Sequence, residues 1–187
     1  MLETASRLMQ SGIVPSVTGV AEAAGVSRAT AYRYFPTQAA LVQAVVDEAL
    51  GPILEWRSAS TDAQSRTRAL FESSMPRIDQ FEATFRAALR LSLDQWAERR
   101  AGVPIAEPHF TRGHRVDLLR DAVAPLAPVV VPAQLDRLTK ALSMLFGIEA
   151  LVIMKDIWGG SAEEARDVVL WAAEALIDGA TRSENDV

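Results

Sequence analysis

The sequence has no cysteine and only two histidines among its 187 residues. Without cysteine, the chain has no disulfide bonds, thiolate metal sites or cysteine nucleophiles. The two histidines, His109 and His114, lie close to Glu107, and these three side chains are candidate metal ligands. We expect neither a metal nor another cofactor, because loop histidines without a partner one helical turn away are usually solvated.

Long hydrophobic runs are also missing. Glu149, Lys155 and Asp156 interrupt the apolar residues near the C-terminus well before the roughly 20 residues that a membrane span requires. Glu3 and Arg7 interrupt the N-terminal apolar residues, so no signal peptide is predicted. Hydrophobic residues make up 49% of the chain and charged residues 23%, as in ordinary globular proteins. We therefore predict a cytoplasmic protein with no membrane partner.

Motifs of common enzyme classes are absent as well. The chain contains no Gly-x-Ser-x-Gly turn, no phosphate-binding loop and no dinucleotide fingerprint. Glu149, which lies within an apolar stripe, is only a weak indication of a functional carboxylate. The prediction is that the protein is not an enzyme.

The most informative segment that is present runs from Val17 to Phe35, and its pattern predicts a helix-turn-helix. Apolar residues recur at the spacing of one helix face, namely Val17, Val20, Ala21 and Ala24. Gly25 follows and can adopt the left-handed conformation that ends a helix, and Ser27 then supplies an N-cap for a second helix. Such a turn also occurs in three-helix cores that do not bind DNA.

The second helix of this segment has two different faces. Ala31 and Phe35 lie on one side, whereas the other side carries cationic, aromatic and small residues: Arg28, Ala29, Tyr32 and Arg33. Guanidinium groups can bridge guanine edges or contact phosphates, tyrosine hydroxyls suit phosphate oxygens, and an alanine methyl can meet a thymine methyl. This face indicates a DNA-recognition helix.

Residues 20–41, with the sequence VAEAAGVSRATAYRYFPTQAAL, resemble the N-terminal domain of tetracycline-repressor-like (TetR family) regulators. The resemblance covers about the first quarter of the chain. It implies an all-helical homodimer that represses transcription from double-stranded DNA with an inverted-repeat operator and is released by a small-molecule effector. The predicted DNA-binding residues are Ser16, Thr18, Ser27, Arg28, Ala29, Thr30, Tyr32, Arg33, Tyr34 and Gln38.

The sequence departs from the family pattern in two places. Gln38 stands where the family usually has a lysine that reaches a phosphate, and the sequence starts within the first helix, ahead of which the family usually has a basic arm. Residues 1–50 also carry three basic and four acidic side chains, for a net charge of −1. These features support a second hypothesis beside the regulator, namely a dimeric small-molecule-binding protein whose DNA binding is weak or lost.

Helix-forming patterns account for nearly the whole chain and predict an all-α fold of about nine helices. We predict a DNA-binding domain at residues 1–50 and a helical ligand-binding and dimerisation domain at residues 51–187. The expected helices after the helix-turn-helix are 38–57, kinked or ended at Gly51-Pro52, and then 63–74, 77–99, 115–123, 133–157 and 162–179. Residues 101–113 are expected to be irregular, and residues 125–132 a rigid link.

The last two predicted helices have apolar faces wider than one core needs. Burial within the monomer is one explanation, and a four-helix interface between two copies is the one we favour. The predicted interface residues are Leu145, Glu149, Val152, Val168, Trp171, Ala172, Ala175 and Leu176.

Large apolar side chains also cluster around the irregular segment. At helical spacing such residues often form plain core, but a cavity among them, with the two histidines as polar groups, is the natural effector site. The predicted ligand-binding residues are Phe81, Phe85, Leu89, Trp96, Phe110, Met144 and Phe146. Their flat apolar faces favour an aromatic or polycyclic effector.

Overall fold

The computed structural model describes residues 1–103, 110 and 113–182, and in these residues it is built of helices with no strand. The predicted all-α class is therefore confirmed, with ten α-helices where about nine were expected. They are α1 (Leu2–Gln10), α2 (Val17–Ala23), α3 (Arg28–Tyr34), α4 (Gln38–Leu50), α5 (Ala63–Gln80), α6 (Glu82–Arg100), α7 (His114–Val123), α8 (Pro132–Leu145), α9 (Ile148–Val152) and α10 (Ala162–Thr181).

Short non-α segments connect some of these helices. Gly51–Glu55 and Ala124–Leu126 form 3-10 turns, and Ile153–Ile157 forms a π-helical turn directly after α9. Within the described residues, no helix combines the length and apolar character needed to cross a bilayer.

The chain packs into two compact units. The first spans Met1–Gly51 and Phe81–Arg112, and α1 packs against both α4 and α6 within it. Its core consists of apolar side chains from these helices and α2, among them Met9, Val20, Leu41, Val42 and Val45. The predicted domain division after residue 50 remains a prediction, and the structure adds α6 to the packing of the N-terminal helices.

The second unit spans Pro52–Gln80 and Gly113–Val187. Helix α5 packs against α7 and α10, and α8 packs against the same two helices. Phe71 and Phe146 meet edge to face in its core, with ring centroids 5.1 Å apart, a favoured geometry for aromatic pairs. Leu119, Leu142 and Leu151 are fully buried alongside them.

The expectation that the fifth helix ends near Ser74 was wrong. Helix α5 continues through Pro76 to Gln80, and the chain leaves helical geometry at Phe81 instead. Proline removes one helical hydrogen bond and usually ends or kinks a helix. Here Met75 and Ile78, on either side of Pro76, are both buried, so packing of this helix outweighs the local preference.

The expectation of one helix over residues 133–157 was also wrong. Helix α8 ends at Leu145, Phe146 is extended, and Gly147 has a φ of 136° that side-chain-bearing residues rarely adopt. The apolar pattern continues across this break, which is why periodicity alone did not locate it. The helix that was expected to kink or end at Gly51-Pro52 ends there, because Gly51 has a φ of 47° and follows the last residue of α4.

Candidate DNA-binding site

Helix α2 is held in place by a cap and a buried face. The Ser16 hydroxyl oxygen accepts a hydrogen bond from the Gly19 N–H at 3.0 Å, which satisfies a backbone donor in the first turn. Val17, Val20 and Ala21 are buried, as the predicted apolar stripe requires. Because its inner face is packed, the outer face of this short helix has a defined orientation.

The turn after α2 has the geometry that its sequence predicts. Gly25 has a φ of 67°, in the left-handed region, and the Val26 N–H donates to the Ala21 carbonyl at 3.0 Å. Ser27 then caps α3, because its oxygen accepts from the Thr30 N–H at 3.2 Å. Its hydroxyl also lies 2.9 Å from Thr30 Oγ1. Local interactions on both sides of Gly25 thus determine where α3 begins.

Helix α3 buries one face and exposes the other. Ala31 is completely buried, whereas Arg28, Ala29 and Arg33 are exposed. Tyr32 and Tyr34 expose 45% and 65% of their surface, so both rings are accessible from solvent. Two arginines, two tyrosines and a small alanine therefore share the solvent-facing side of one helix.

Contacts among these side chains orient the exposed surface. The Arg33 guanidinium lies 5.3 Å from the centroid of the Tyr34 ring, within cation–π range. The Tyr32 hydroxyl lies 3.4 Å from Thr18 Oγ1 and so connects α3 to α2. The aromatic side chains are thereby held beside the cationic ones.

Three of the predicted DNA-binding residues hydrogen-bond to the protein backbone through their side chains. Ser16 and Ser27 are N-caps, as described above. Gln38 Nε2 donates to the Pro15 carbonyl at 3.0 Å, which links the start of α4 to the segment before α2. In the free protein, the Gln38 side chain therefore contacts the protein backbone.

Two residues of this site were missed by the sequence interpretation. Glu22 Oε1 lies 2.9 Å from Arg28 Nη2, so an acidic side chain of α2 pairs with the first residue of α3. Thr37 caps α4 by accepting from the Ala40 N–H at 2.9 Å. The threonine was detectable as a cap residue before a helix. The ion pair was not, because the two residues are six apart across a turn.

The predicted interface residues lie on α8, α9 and α10. Val168, Trp171 and Ala175 are exposed, and Trp171 exposes 71% of its surface. Glu149 accepts from Arg115 Nη2 through both carboxylate oxygens, at 3.2 and 2.9 Å. The others are half-buried, namely Leu145, Val152, Ala172 and Leu176. A groove of about 240 Å³ runs between α8 and α10 beside Ala175 and Leu176.

The predicted ligand-binding residues differ widely in exposure. Phe85, Phe110 and Phe146 are buried, and Phe81 and Leu89 are half-buried. Trp96 and Met144 expose 59% and 69% of their surface, so neither is enclosed by its own unit. Met144 and Phe146 belong to the second unit and the other five to the first. Their joint role in effector binding remains a prediction.

Two of the three candidate metal ligands, Glu107 and His109, lie outside the described residues. Elsewhere in residues 1–103, 110 and 113–182, no three histidine or acidic side chains come together as a possible metal site.

Comparison with known proteins agrees with the geometry of the first unit. Residues 2–45 match the model of the family described as bacterial regulatory proteins, tetR family. No curated protein and no solved structure shows a significant match to the chain. The matched residues contain α1, α2, the glycine turn, the exposed α3 and the first half of α4. The N-terminal part of this chain is accordingly similar to the DNA-binding domain of tetR-family regulators.

Proposed function

We propose that this protein is a ligand-responsive repressor that binds a palindromic operator as a homodimer and leaves it when a small hydrophobic effector binds. The observation that carries the proposal is the exposed face of α3, on which Arg28, Ala29, Tyr32 and Arg33 are presented together. Arginines can pair with guanine edges, alanine permits close approach to the groove, and tyrosine can contact phosphate.

Dimerisation is supported by the surface of α10. Monomeric proteins rarely leave large apolar side chains in one exposed patch, yet Val168 and Trp171 are exposed one turn apart. The groove between α8 and α10 is lined largely by small and apolar residues, including Ala141, Ala175 and Gly179, so another helix can approach closely. A second copy of the same helix pair fits both features and gives the two-fold symmetry that a palindromic operator requires.

The effector part of the proposal is supported by the similarity of residues 2–45 to the tetR family and by the aromatic side chains among the predicted ligand-binding residues. Their surfaces are apolar, which favours a hydrophobic ligand. To release DNA, the ligand must bind better to a conformation in which the two recognition helices are wrongly spaced.

A second candidate is a dimeric small-molecule-binding protein with weak DNA binding. Two observations favour it: residues 1–50 have a net charge of −1, and the Gln38 side chain contacts the Pro15 carbonyl. Since phosphate contacts supply most non-specific affinity, such a domain is expected to bind non-cognate DNA weakly.

Selection from random duplexes of about 30 base pairs, long enough for half-sites one helical turn apart, separates the two candidates. The repressor should enrich an inverted repeat. Arg28→Ala should weaken binding to it by roughly 5- to 150-fold for each half-site, as expected for loss of a bidentate contact worth about 1–3 kcal/mol. Arg7→Ala is the matched control, because Arg7 is an exposed arginine of α1 outside the predicted contact set. Enrichment of no sequence, together with ligand binding, would establish the second candidate.

A further inference from the structure

The ion pair between Glu22 and Arg28 lies inside the proposed DNA-reading surface. Glu22 is on the outer side of α2 and Arg28 is the first residue of α3, and the glycine turn brings Oε1 and Nη2 to 2.9 Å. Their side chains are 65% and 69% exposed, so the pair is accessible to a DNA duplex. The acidic group therefore stands beside the arginine that is proposed to read a base.

The pairing leaves most of the guanidinium available. Arginine has five N–H donors in a planar fork, and the contact with Glu22 engages one nitrogen, Nη2, through a single carboxylate oxygen. The remaining donors are sufficient for a contact with a guanine edge. The structure thus permits Arg28 to remain paired with Glu22 while it hydrogen-bonds to a base.

The carboxylate affects the two possible DNA contacts unequally. A phosphate attracts an arginine mainly through charge, and the neighbouring carboxylate offsets that charge and repels the phosphate. A guanine edge is neutral and attracts the arginine through directional hydrogen bonds. Glu22 should therefore weaken the contact of Arg28 with any phosphate more than its contact with guanine.

We propose that Glu22 is a specificity-determining residue, which lowers the affinity for random DNA by pairing with Arg28 and so raises the preference for the operator. This inference rests on the proposed function, because it requires that Arg28 contact DNA. Glu22 acts through Arg28 and need not touch the duplex itself. The net charge of −1 in residues 1–50 fits this role, since part of that negative charge lies next to the recognition helix.

The test compares Glu22→Gln with Glu3→Gln. Both changes remove one exposed carboxylate from the first unit, but Glu3 is in the first turn of α1, whereas the carboxylate that pairs with Arg28 is that of Glu22. Dissociation constants are measured on the duplex obtained by selection and on a random duplex of equal length, between about 50 and 200 mM salt. Glu22→Ala serves as a second variant, because alanine suits an exposed helical position.

Glu22→Gln should bind the random duplex about three- to tenfold more tightly, since exposed ion pairs are weak and a dimer has two of them. Its salt dependence on that duplex should steepen by about 0.9 for each arginine that gains a phosphate contact. The gain on the selected duplex should be smaller, so the ratio of the two affinities falls. Glu3→Gln should change both affinities by the same factor and leave the ratio constant.

The inference would be overturned if Glu22→Gln left the ratio of affinities for the selected and random duplexes unchanged, or if Glu3→Gln lowered that ratio equally. Either result would leave the proposed regulator function intact. Repeating Glu22→Gln in a protein that also carries Arg28→Ala tests whether Glu22 acts through Arg28. There the ratio should no longer respond to Glu22→Gln, and a persistent response would show that Glu22 does not act through Arg28. A wild-type protein that prefers no duplex would refute the proposed function, and this inference with it.

Discussion

Arg66 and Asp121 are joined by three hydrogen bonds, although 55 residues separate them in the chain. Arg66 Nη2 donates to Asp121 Oδ2 at 3.0 Å and to the Asp121 carbonyl at 2.8 Å, and Nε donates to the same carbonyl at 3.2 Å. The other nitrogen, Nη1, reaches the carbonyls of Ser58 and Ser60 at 2.7 and 3.0 Å. One guanidinium of α5 therefore connects α7 to the segment that precedes α5.

Replacing Arg66 by methionine should lower the free energy of unfolding by about 3 kcal/mol, because it removes a buried charged donor and leaves several half-buried acceptors without it. Arg68→Met is the matched control on the same helix, since Arg68 is exposed and pairs with Glu72 and Glu174 at the surface. Urea denaturation should show a much smaller loss for the control. Equal losses would mean that the Arg66 network adds nothing beyond a surface ion pair.

Asp62 should make stability depend on pH. Hydrogen bonds from the Ser65 side chain and then the Ser65 N–H lower the pKa of Asp62 below the ordinary value of an aspartate. A lowered pKa in the folded state means that the stabilisation is complete above the unfolded pKa and is lost as the pH falls through the folded one. Asp62→Ala should cost about 1 kcal/mol at neutral pH through loss of this cap on α5. In unfolding experiments below about pH 4, the difference in unfolding free energy between Asp62→Ala and wild type should become smaller. A constant deficit across that range would contradict the assignment.

Gly147 should tolerate no side chain. Its φ of 136° is unfavourable for other residues, and an added Cβ would lie 2.8 Å from Arg115 Nη2. We expect Gly147→Ala to destabilise the fold by about 1–3 kcal/mol. Gly179→Ala in α10 is the control, since a Cβ there meets no atom within 4 Å and alanine favours helix. Because Gly179 also lines the groove of the proposed dimer, chemical denaturation at several protein concentrations is needed to separate folding from any change in association.

Ala175→Glu should disrupt the proposed dimer. Ala175 is exposed on α10 beside the groove, so a partner helix would bury the new carboxylate without a counter-charge, which is strongly unfavourable. Light scattering should detect monomers, and operator binding should be lost in parallel. Asp167→Asn, at an exposed position of the same helix outside the predicted interface set, should leave both unchanged. A variant that remains a dimer with full DNA affinity would place the interface elsewhere.

Gln38→Lys tests whether the start of α4 lies near the duplex. If it does, the new ammonium should tighten binding to all sequences and steepen the salt dependence by about 0.9 per subunit. Gln43→Lys, further along the same helix, adds the same charge away from the proposed contact and should have little effect. If neither variant alters affinity or salt dependence, Gln38 is a structural residue that holds the Pro15 carbonyl.

The predicted helix-turn-helix agrees closely with the structure because its determinants are local. The Ser16 and Ser27 caps and the turn at the left-handed Gly25 involve partners only a few residues apart. Both partners of each such interaction lie within one short stretch of sequence. Capping residues and apolar periodicity are therefore enough to locate these helices. The exposed side of α3 follows from the same periodicity, and it was sufficient to indicate DNA binding.

The sequence by itself determined the helical class, the helix-turn-helix and the composition of its exposed face. Tertiary structure decided how α5 passes through Pro76, where the chain breaks at Gly147, and which residues pair across long separations. Arg66 with Asp121 is such a pair, and the turn also joins Arg28 to Glu22, six residues away, at a spacing that no single helix provides. The reason is physical: local preferences are worth about a kilocalorie per mole each, whereas packing an entire helix face contributes several and therefore prevails.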